Sequence, residues 1–495
     1  MSKKRQRTAD YQVFIGKPTH VRLQPHLKHL ITELLSASAE WPVPIAKCEL
    51  ASSQPYVEVT LSRAAAYRSL FSFIFPRAKT EERQLPDRER QNVLIFVPHL
   101  DDSFTSVRTE KLAAYAFRCC VAQGLHAIMY ACRPFCTSER SSSLSIITCG
   151  PECNSKACRS DVETVVKRTT FYREKDTTFD LKSYMASQCL ETTGYSFCAG
   201  NVHVESPSFE TAGLLLHVLL DHCEAAPDVV LIVAPACRSF MVHQAGLLYR
   251  LSLLEGQPQS TGTTKMVYAI HEGTYECVGY SFTDYQQQKR KLLSEAFKRE
   301  QVDARERSVT GHELLAAVDV LVETEVAYEF LSNKPNVKIK LKQRINNAGS
   351  GHCFPQYTAA RIVAILGKYE AAVKEGSYPP LCDWRDVDFS LLCGDPEWLL
   401  WHGMVACWRA LREESTVLAP TGDNIRAELR AHLLCQALEG LCGHFSTYYS
   451  KVRVLVQPEP HLAPTVAART WLLKAVRETV LQVLRRLGLE ALDSM

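Results

Sequence analysis

The sequence lacks any run of about 20 consecutive apolar residues, the length that an α-helix needs to cross a bilayer. Its first ten residues, MSKKRQRTAD, are polar and basic and contain no apolar signal core. These absences predict that the chain makes no membrane contact and is cytoplasmic. The basic cluster in this terminus is compatible with a nuclear address or an RNA-binding arm, although a solvated terminus is the simpler interpretation.

Motifs that cradle nucleotide phosphates are also absent. We find neither G-x-G-x-x-G nor G-x-x-x-x-G-K, and no internal repeat or long heptad array. The sequence therefore predicts no cofactor.

Metal-ligand spacing is lacking as well, although the chain has 19 cysteines. The densest run, between Cys119 and Cys158, does not present the pairs two residues apart that structural zinc sites use. His99, Asp101 and Asp102 follow a predicted strand, where α/β enzymes place ligands, but nothing near them completes a ligand set. We predict reduced thiols and no metal site, with a zinc site in the cysteine run as the alternative.

Acidic residues are missing from one long tract. Net charge is only +3, yet residues 334–369 contain seven Lys or Arg and no Asp or Glu. A solvated surface normally mixes signs, so this tract is the best candidate for phosphate contacts. Lys338, Lys340 and Lys342 alternate along a possible strand at 337–341, which would place them on one face.

The patterns that are present divide the 495 residues into three regions. Residues 1–77 predict a small α+β domain, which a charged linker at 78–92 follows. Residues 92–330 alternate buried Val/Ile runs with helical runs, which predicts a doubly wound α/β core with a Ser/Cys-rich loop at about 137–160. Residues 345–495 carry apolar stripes at helical spacing, at 356–375, 425–452 and 465–487, and predict a helical bundle.

The C-terminal region resembles the DALR anticodon-binding domain of class I arginyl-tRNA synthetases. The similar segments are FPQYTAARI at 354–362, FSTYY at 445–449 and the last helix with its tail to Met495. The resemblance implies a synthetase-like fold: a degenerate class I core, a small N-terminal α+β domain and a C-terminal anticodon-binding bundle.

The catalytic signatures of class I synthetases are missing. The paired histidines expected after the first core strand are replaced by SFTSVR at 103–108, and the mobile lysine loop is replaced by RERSVTG at 305–311. Amino-acid activation needs such groups to meet the charge on the ATP phosphates. We therefore predict that the chain is not an enzyme.

Further segments, around 388–400 and 458–462, resemble DALR-domain proteins that are not synthetases. That resemblance implies a tRNA-binding adaptor for arginine isoacceptors, which supports formation of 3-methylcytidine in the anticodon loop by a partner tRNA methyltransferase. Three alternatives stay open: a divergent, active arginyl-tRNA synthetase, a small-molecule enzyme that reuses the α/β core, and a scaffold within a synthetase assembly that does not contact RNA.

Single-stranded RNA loops are read by aromatic stacking and by cations on phosphate. Tyr357 and Arg361 share one helix face beside the acid-free tract. Tyr448 and Tyr449 are adjacent on a helix, so we expect Tyr448 in the core and Tyr449 at the surface. The predicted RNA-binding set, part of it implied by the resemblance, is Gln356, Tyr357, Arg361, Lys338, Lys340, Lys342, Tyr449, Arg453 and Met495.

Overall fold

The computed structural model describes residues 11–14, 24–50, 56–76, 91–98, 101, 103–131, 146–148, 155–187, 200–222, 227–256, 264–275, 281–303, 311–341, 352–414 and 425–492. Several predictions fall outside these residues. They concern Lys342, Met495, His99, Asp102, the segment 305–310 and the cysteines between 132 and 153.

The N-terminal region is a three-stranded antiparallel sheet with one helix on it. The chain forms β1 (Tyr11–Phe14), α1 (Gln24–Ser38), β2 (Ile45–Leu50) and β3 (Tyr56–Leu61), and the strand order is β1-β3-β2. Alternation along β3 buries Val57 and Val59 under Ile31 and Leu35 of α1. The next helix, α2 (Arg63–Ile74), packs instead in the cluster that contains the C-terminal helices.

A five-stranded parallel sheet forms the centre of the molecule. Along the chain the elements are β4 (Asn92–Val97), α3 (Phe104–Ala122), β5 (His126–Ala131), β6 (Ile146–Thr148), α4 (Ser155–Lys167), β7 (Tyr172–Arg173), β8 (Thr178–Asp180), α5 (Leu181–Ser187), β9 (Asn201–His203), α6 (Pro207–His222), β10 (Val229–Pro235), α7 (Ser239–Gly256) and β11 (Lys265–His271). The strand order is β11-β10-β4-β5-β6. The order reverses between β4 and β10, which is where α/β sheets of this type form a crevice.

Both faces of this sheet are covered. Val93, Ile95 and Val97 of β4 belong to the cluster that contains α3 and the C-terminal helices, whereas Leu94 and Phe96 belong to the cluster of α4, α6 and α7. Strands buried on both faces read as continuous apolar runs, as these do.

Two features of the core differ from the prediction. The stretch 137–160, predicted as a loop, contains the edge strand β6 and the start of α4. A separate antiparallel sheet of order β7-β8-β9 was not predicted, because strands of two or three residues carry too short a pattern to detect.

Six helices follow the sheet in the described part of the chain: α8 (Phe282–Asp303), α9 (Gly311–Leu331), α10 (Phe354–Lys374), α11 (Asp395–Glu413), α12 (Ala431–Lys451) and α13 (Ala463–Leu487). The predicted helix over 425–452 begins six residues too early. Ile425–Arg430 is extended, and it pairs with the edge strand β11: the Tyr268 N–H donates to the Ile425 carbonyl at 2.8 Å, and the Ala427 N–H to the Tyr268 carbonyl at 3.0 Å.

A buried polar joint fixes α3 of the core against the helical bundle. The Glu414 carboxylate accepts from the Arg486 guanidinium at 2.9 Å and from the Tyr115 hydroxyl, and Cys119 Sγ lies 3.5 Å from it. Burial raises the pKa of Glu414, against the opposing effect of these hydrogen bonds and of the Arg486 charge.

Among the described residues, no helix is both long enough and apolar enough to cross a membrane. The domain limits at 77, 92, 330 and 345 remain predictions, since the packing of α2 joins the first region to the last.

Candidate nucleic-acid interface

Gln356 holds the C-terminal tail of the chain. It is fully buried in the first turn of α10, where its amide nitrogen donates to Thr324 Oγ1 at 3.0 Å and to the Glu490 carbonyl at 2.7 Å. Its amide oxygen accepts from the Leu492 N–H at 3.0 Å. Because Gln356 is buried and its amide already makes these hydrogen bonds within the chain, it is not available for the predicted contact with RNA.

Tyr357 is half-buried and packs against the cluster that contains residues of α8 and α9. Its hydroxyl oxygen is buried. Only part of the ring remains available for stacking, so Tyr357 is a weaker candidate than an exposed ring.

Arg361 and Tyr449 meet at the surface, although they belong to different helices. The Arg361 guanidinium of α10 lies 5.2 Å from the centroid of the Tyr449 ring of α12. Tyr449 is 45% exposed, and its ring stacks on Phe445 with centroids 6.1 Å apart and an interplanar angle of 23°. We call these three residues the stacking ladder.

The helix geometry of α12 explains how the ladder is presented. Tyr448 is fully buried and Tyr449 points outward, as adjacent helix residues must. Phe445, one turn before Tyr449, is buried, and its ring packs against the ring of Tyr449. Arg453 is exposed just beyond the end of α12, and its carbonyl accepts from Arg469 at 2.9 Å. Arg453 thus places an exposed basic residue near the same helix end as Tyr449.

Lys338 and Lys340 are exposed on either side of the buried Ile339, so the alternation that was predicted exists. The predicted strand does not extend over 337–341. Only Ile339 forms a bridge, with Thr274 just after β11. The two lysines therefore lie at the carboxyl end of the core sheet, on a different element from the stacking ladder.

Tyr275 is an exposed aromatic residue that was not predicted from the sequence. It follows β11, is 54% exposed, and its ring lies 5.0 Å from the Lys338 ammonium. A single tyrosine after a predicted strand gives no signal by itself, because its pairing with residue 338 depends on the fold.

The crevice between β4 and β10 is lined by polar groups of the chain itself. Asp101 accepts from Ser106 Oγ at 2.6 Å and lies 3.4 Å from the Arg238 guanidinium. Burial alone would raise the pKa of Asp101, but hydrogen bonds from Ser103 and Ser106 outweigh it and hold the pKa below its usual value. In the described residues, no group of three or more His, Cys, Asp or Glu side chains is placed to hold a metal ion.

Comparisons with known proteins agree with this architecture. Residues 407–495 match the family model of the DALR anticodon binding domain. Over 177 residues, which are 35% of this chain and 33% of the relative, the sequence is 33% identical to DALR anticodon-binding domain-containing protein 3 of Rattus norvegicus. Over 142 residues, 28% of this chain and 20% of the relative, it is 30% identical to the arginine–tRNA ligase of Borreliella burgdorferi. The matched segment thus spans about a third or less of the length of these relatives.

Among solved structures, the Thermus thermophilus arginyl-tRNA synthetase superposes with a TM-score of 0.61 at 11% identity, over 100% of this chain and 95% of that one. At this identity the likeness concerns the fold alone. The predicted fold class, a synthetase-like α/β core followed by a helical bundle, is confirmed, and so is the resemblance to DALR proteins. The chain has the fold of an arginyl-tRNA synthetase and contains, at residues 407–495, a DALR anticodon binding domain.

Proposed function

We propose that the chain is a non-catalytic tRNA-binding adaptor. Its helical bundle grips the anticodon arm of arginine tRNAs, and the adaptor supports formation of 3-methylcytidine in the anticodon loop by a partner tRNA methyltransferase. The observation that carries the first part of this proposal is the stacking ladder, a tyrosine ring that is exposed yet contacts both Phe445 and Arg361, on a bundle of the anticodon-binding type.

The stacking ladder offers an aromatic ring and a guanidinium, which can contact the unpaired bases and the phosphates of an RNA loop. The part of the Tyr449 ring that remains exposed can stack against an unpaired base, a contact worth about 1–3 kcal/mol per base. The Arg361 guanidinium presents donors to a phosphate, and its position over the ring lowers the entropy that it loses on binding.

The choice of arginine tRNAs and the methyltransferase partner rest on resemblance. Three relatives are DALR anticodon-binding domain-containing proteins, and another is an arginine–tRNA ligase. The partner is inferred from segments of the sequence that resemble the DALR proteins that are not synthetases.

The absence of catalysis is supported by the polar groups at the start of α3. Class I chemistry would need side chains there that face the phosphates of ATP. Here Asp101 engages Ser106 and approaches Arg238, and Arg108 is fully buried and donates to backbone carbonyls.

Three experiments test the proposal. The first recovers bound species from total tRNA and sequences them, comparing the wild type with Arg361→Ala/Tyr449→Ala. Arg409→Ala, which removes an exposed arginine of α11, serves as the charge control. We expect arginine tRNAs to be enriched by the wild type and the control and not by the double variant. Equal recovery by all three proteins would contradict a role for the ladder.

The second experiment addresses the modification. Cells without this chain should lose 3-methylcytidine from arginine tRNAs, and the wild type should restore it while Arg361→Ala/Tyr449→Ala does not.

The third experiment, ATP–pyrophosphate exchange with arginine, separates the adaptor from an active ligase. Robust exchange by the purified chain would overturn the non-catalytic assignment.

A further inference from the structure

We propose that the α/β core carries a second RNA-binding surface, the lysine edge, formed by Lys334, Lys338, Lys340 and Tyr275. It contacts a part of the tRNA outside the anticodon stem-loop. This inference rests on the proposed tRNA-binding function and assigns part of that binding to the core.

The lysine edge is built on a buried clamp. The Arg108 side chain is fully buried, and its guanidinium donates to the carbonyls of Val337 at 2.7 Å, Lys334 at 2.9 Å and Glu272 at 2.5 Å. Burial lowers the pKa of Arg108 to about 10, so it remains charged at neutral pH. One buried cation thus fixes the backbone that carries the lysines to the end of the sheet.

Backbone pairing completes the attachment. The Glu272 N–H donates to the Pro335 carbonyl at 2.7 Å, the Ile339 N–H to the Gly273 carbonyl at 3.1 Å, and the Tyr275 N–H to the Ile339 carbonyl at 2.9 Å. Because Ile339 and Leu341 are buried, the alternate residues Lys338 and Lys340 must face outward together.

The lysine edge offers cations for the phosphates of an RNA backbone and an aromatic ring for a nearby base or sugar. Lys334, Lys338 and Lys340 are all exposed, and the described residues contain no ion pair between any of them and a carboxylate. They belong to a tract with no acidic residue from 334 to 369. Tyr275 adds an exposed ring under the Lys338 ammonium, so a cation and a π-face lie side by side.

The lysine edge is remote from the stacking ladder. Lys334 lies near enough to His432, in the first turn of α12, for its charge to act on that ring. Burial lowers the pKa of His432, the charge of Glu428 opposes this, and the charges of Lys334 and Arg430 lower the pKa further. Tyr449 lies near the other end of the same helix, roughly 25 Å from His432 at 1.5 Å per residue. The two surfaces therefore meet different parts of one bound tRNA.

The test compares Lys338→Gln/Lys340→Gln with Lys175→Gln/Lys182→Gln, which removes the same charge from exposed positions of the β7–α5 region. The dissociation constant is measured for a full-length arginine tRNA and for its isolated anticodon stem-loop, over a series of salt concentrations. The melting temperature of each variant confirms that it is folded.

For the full-length tRNA we expect affinity on the order of tenfold weaker than in the control, with a salt slope shallower by about 1 to 2. For the stem-loop we expect no change. Unchanged tRNA affinity, or an equal loss with the stem-loop, would overturn the lysine edge. The proposed function would still stand in either case if the wild type binds the stem-loop. If the wild type binds neither RNA, the proposed function itself fails.

Discussion

Tyr449 keeps 45% of its surface exposed although its ring contacts two other side chains. Phe445 supports it within α12, and Arg361 reaches it from α10. An exposed ring that is already ordered loses little conformational entropy when a base stacks on it. This is why Tyr449 is a better candidate for stacking than the half-buried Tyr357.

Replacing Tyr449 therefore separates stacking from other roles. Tyr449→Ala should weaken binding of an arginine anticodon stem-loop by about 1–3 kcal/mol, the value of one stacked base. Tyr449→Phe retains the ring and should bind within about twofold of the wild type. Fluorescence anisotropy of labelled RNA measures both. If the phenylalanine variant loses as much as the alanine variant, the hydroxyl rather than the ring face makes the contact.

His271 is a residue whose protonation state should affect folding. It is fully buried at the end of β11, Nδ1 donates to the Glu272 carbonyl at 2.8 Å, and Nε2 lies 3.0 Å from the Thr109 hydroxyl. Burial lowers its pKa to about 3, with a further small lowering from Arg108 against the hydrogen bond to Glu272. The folded state thus holds a neutral imidazole.

Because the folded pKa lies below the unfolded value of about 6.5, this stabilisation is present above pH 6.5 and is lost as the pH falls toward 3. Going from pH 7 to pH 5 should cost about 2 kcal/mol of unfolding free energy through this group alone. Urea unfolding at both pH values tests this, with His271→Gln as the comparison. An equal loss in the variant would show that other groups cause the pH dependence.

At the scale of elements, apolar patterns predicted the central strands and the long helices well. The runs at 93–97, 229–233 and 266–270 became β4, β10 and β11, because strands buried on both faces must be apolar throughout. The predicted start of α12 was wrong. Ile425 is apolar and fits the stripe of a helix, but in the structure its backbone pairs with Tyr268. That pairing depends on a strand far away in sequence, which local pattern does not encode.

The end of α13 provides a prediction about how the elements are joined. Gly488 caps this helix at φ 79°, a left-handed conformation that disfavours side chains, and a Cβ there would lie 2.0 Å from the Arg118 guanidinium of α3. Gly488→Ala should destabilise the fold by at least about 1 kcal/mol, from backbone strain and displacement of Arg118.

The matched control is Gly440→Ala. Gly440 lies within α12 with nothing within 4 Å of an added Cβ, so alanine should stabilise the fold by about 0.5–1 kcal/mol through helix propensity. Chemical denaturation measures both variants. A neutral or stabilising effect of Gly488→Ala would contradict the left-handed backbone conformation at the end of α13.

At the scale of the whole molecule, the sheet and the helical bundle are joined into one hydrophobic cluster that contains residues of β4, α3, α11, α12 and α13. The polar joint around Glu414 and the pairing of Ile425–Ala427 with β11 fix their relative position. The stacking ladder and the lysine edge are therefore held at a fixed spacing, as two contacts with one rigid RNA require.

The sequence revealed this arrangement only in part. It identified Arg361, Tyr449, Lys338 and Lys340 as candidates from helix position and charge, but it did not reveal which of them meet. The burial of Gln356, the exposed ring of Tyr275 and the clamp by Arg108 arise from contacts between distant segments. Charge and hydrophobic periodicity in the sequence predict whether a residue faces the core or the solvent. They do not predict which distant residues it contacts, because tertiary packing decides that.

The most direct test of the central claim is the dissociation constant of the purified chain for an arginine tRNA and for a tRNA of another amino acid, at one fixed salt concentration. The wild type should prefer the arginine tRNA, and Arg361→Ala/Tyr449→Ala should lose most of that preference while its melting temperature is unchanged. Equal affinity of the wild type for both tRNAs, with no change in the double variant, would contradict recognition through the stacking ladder.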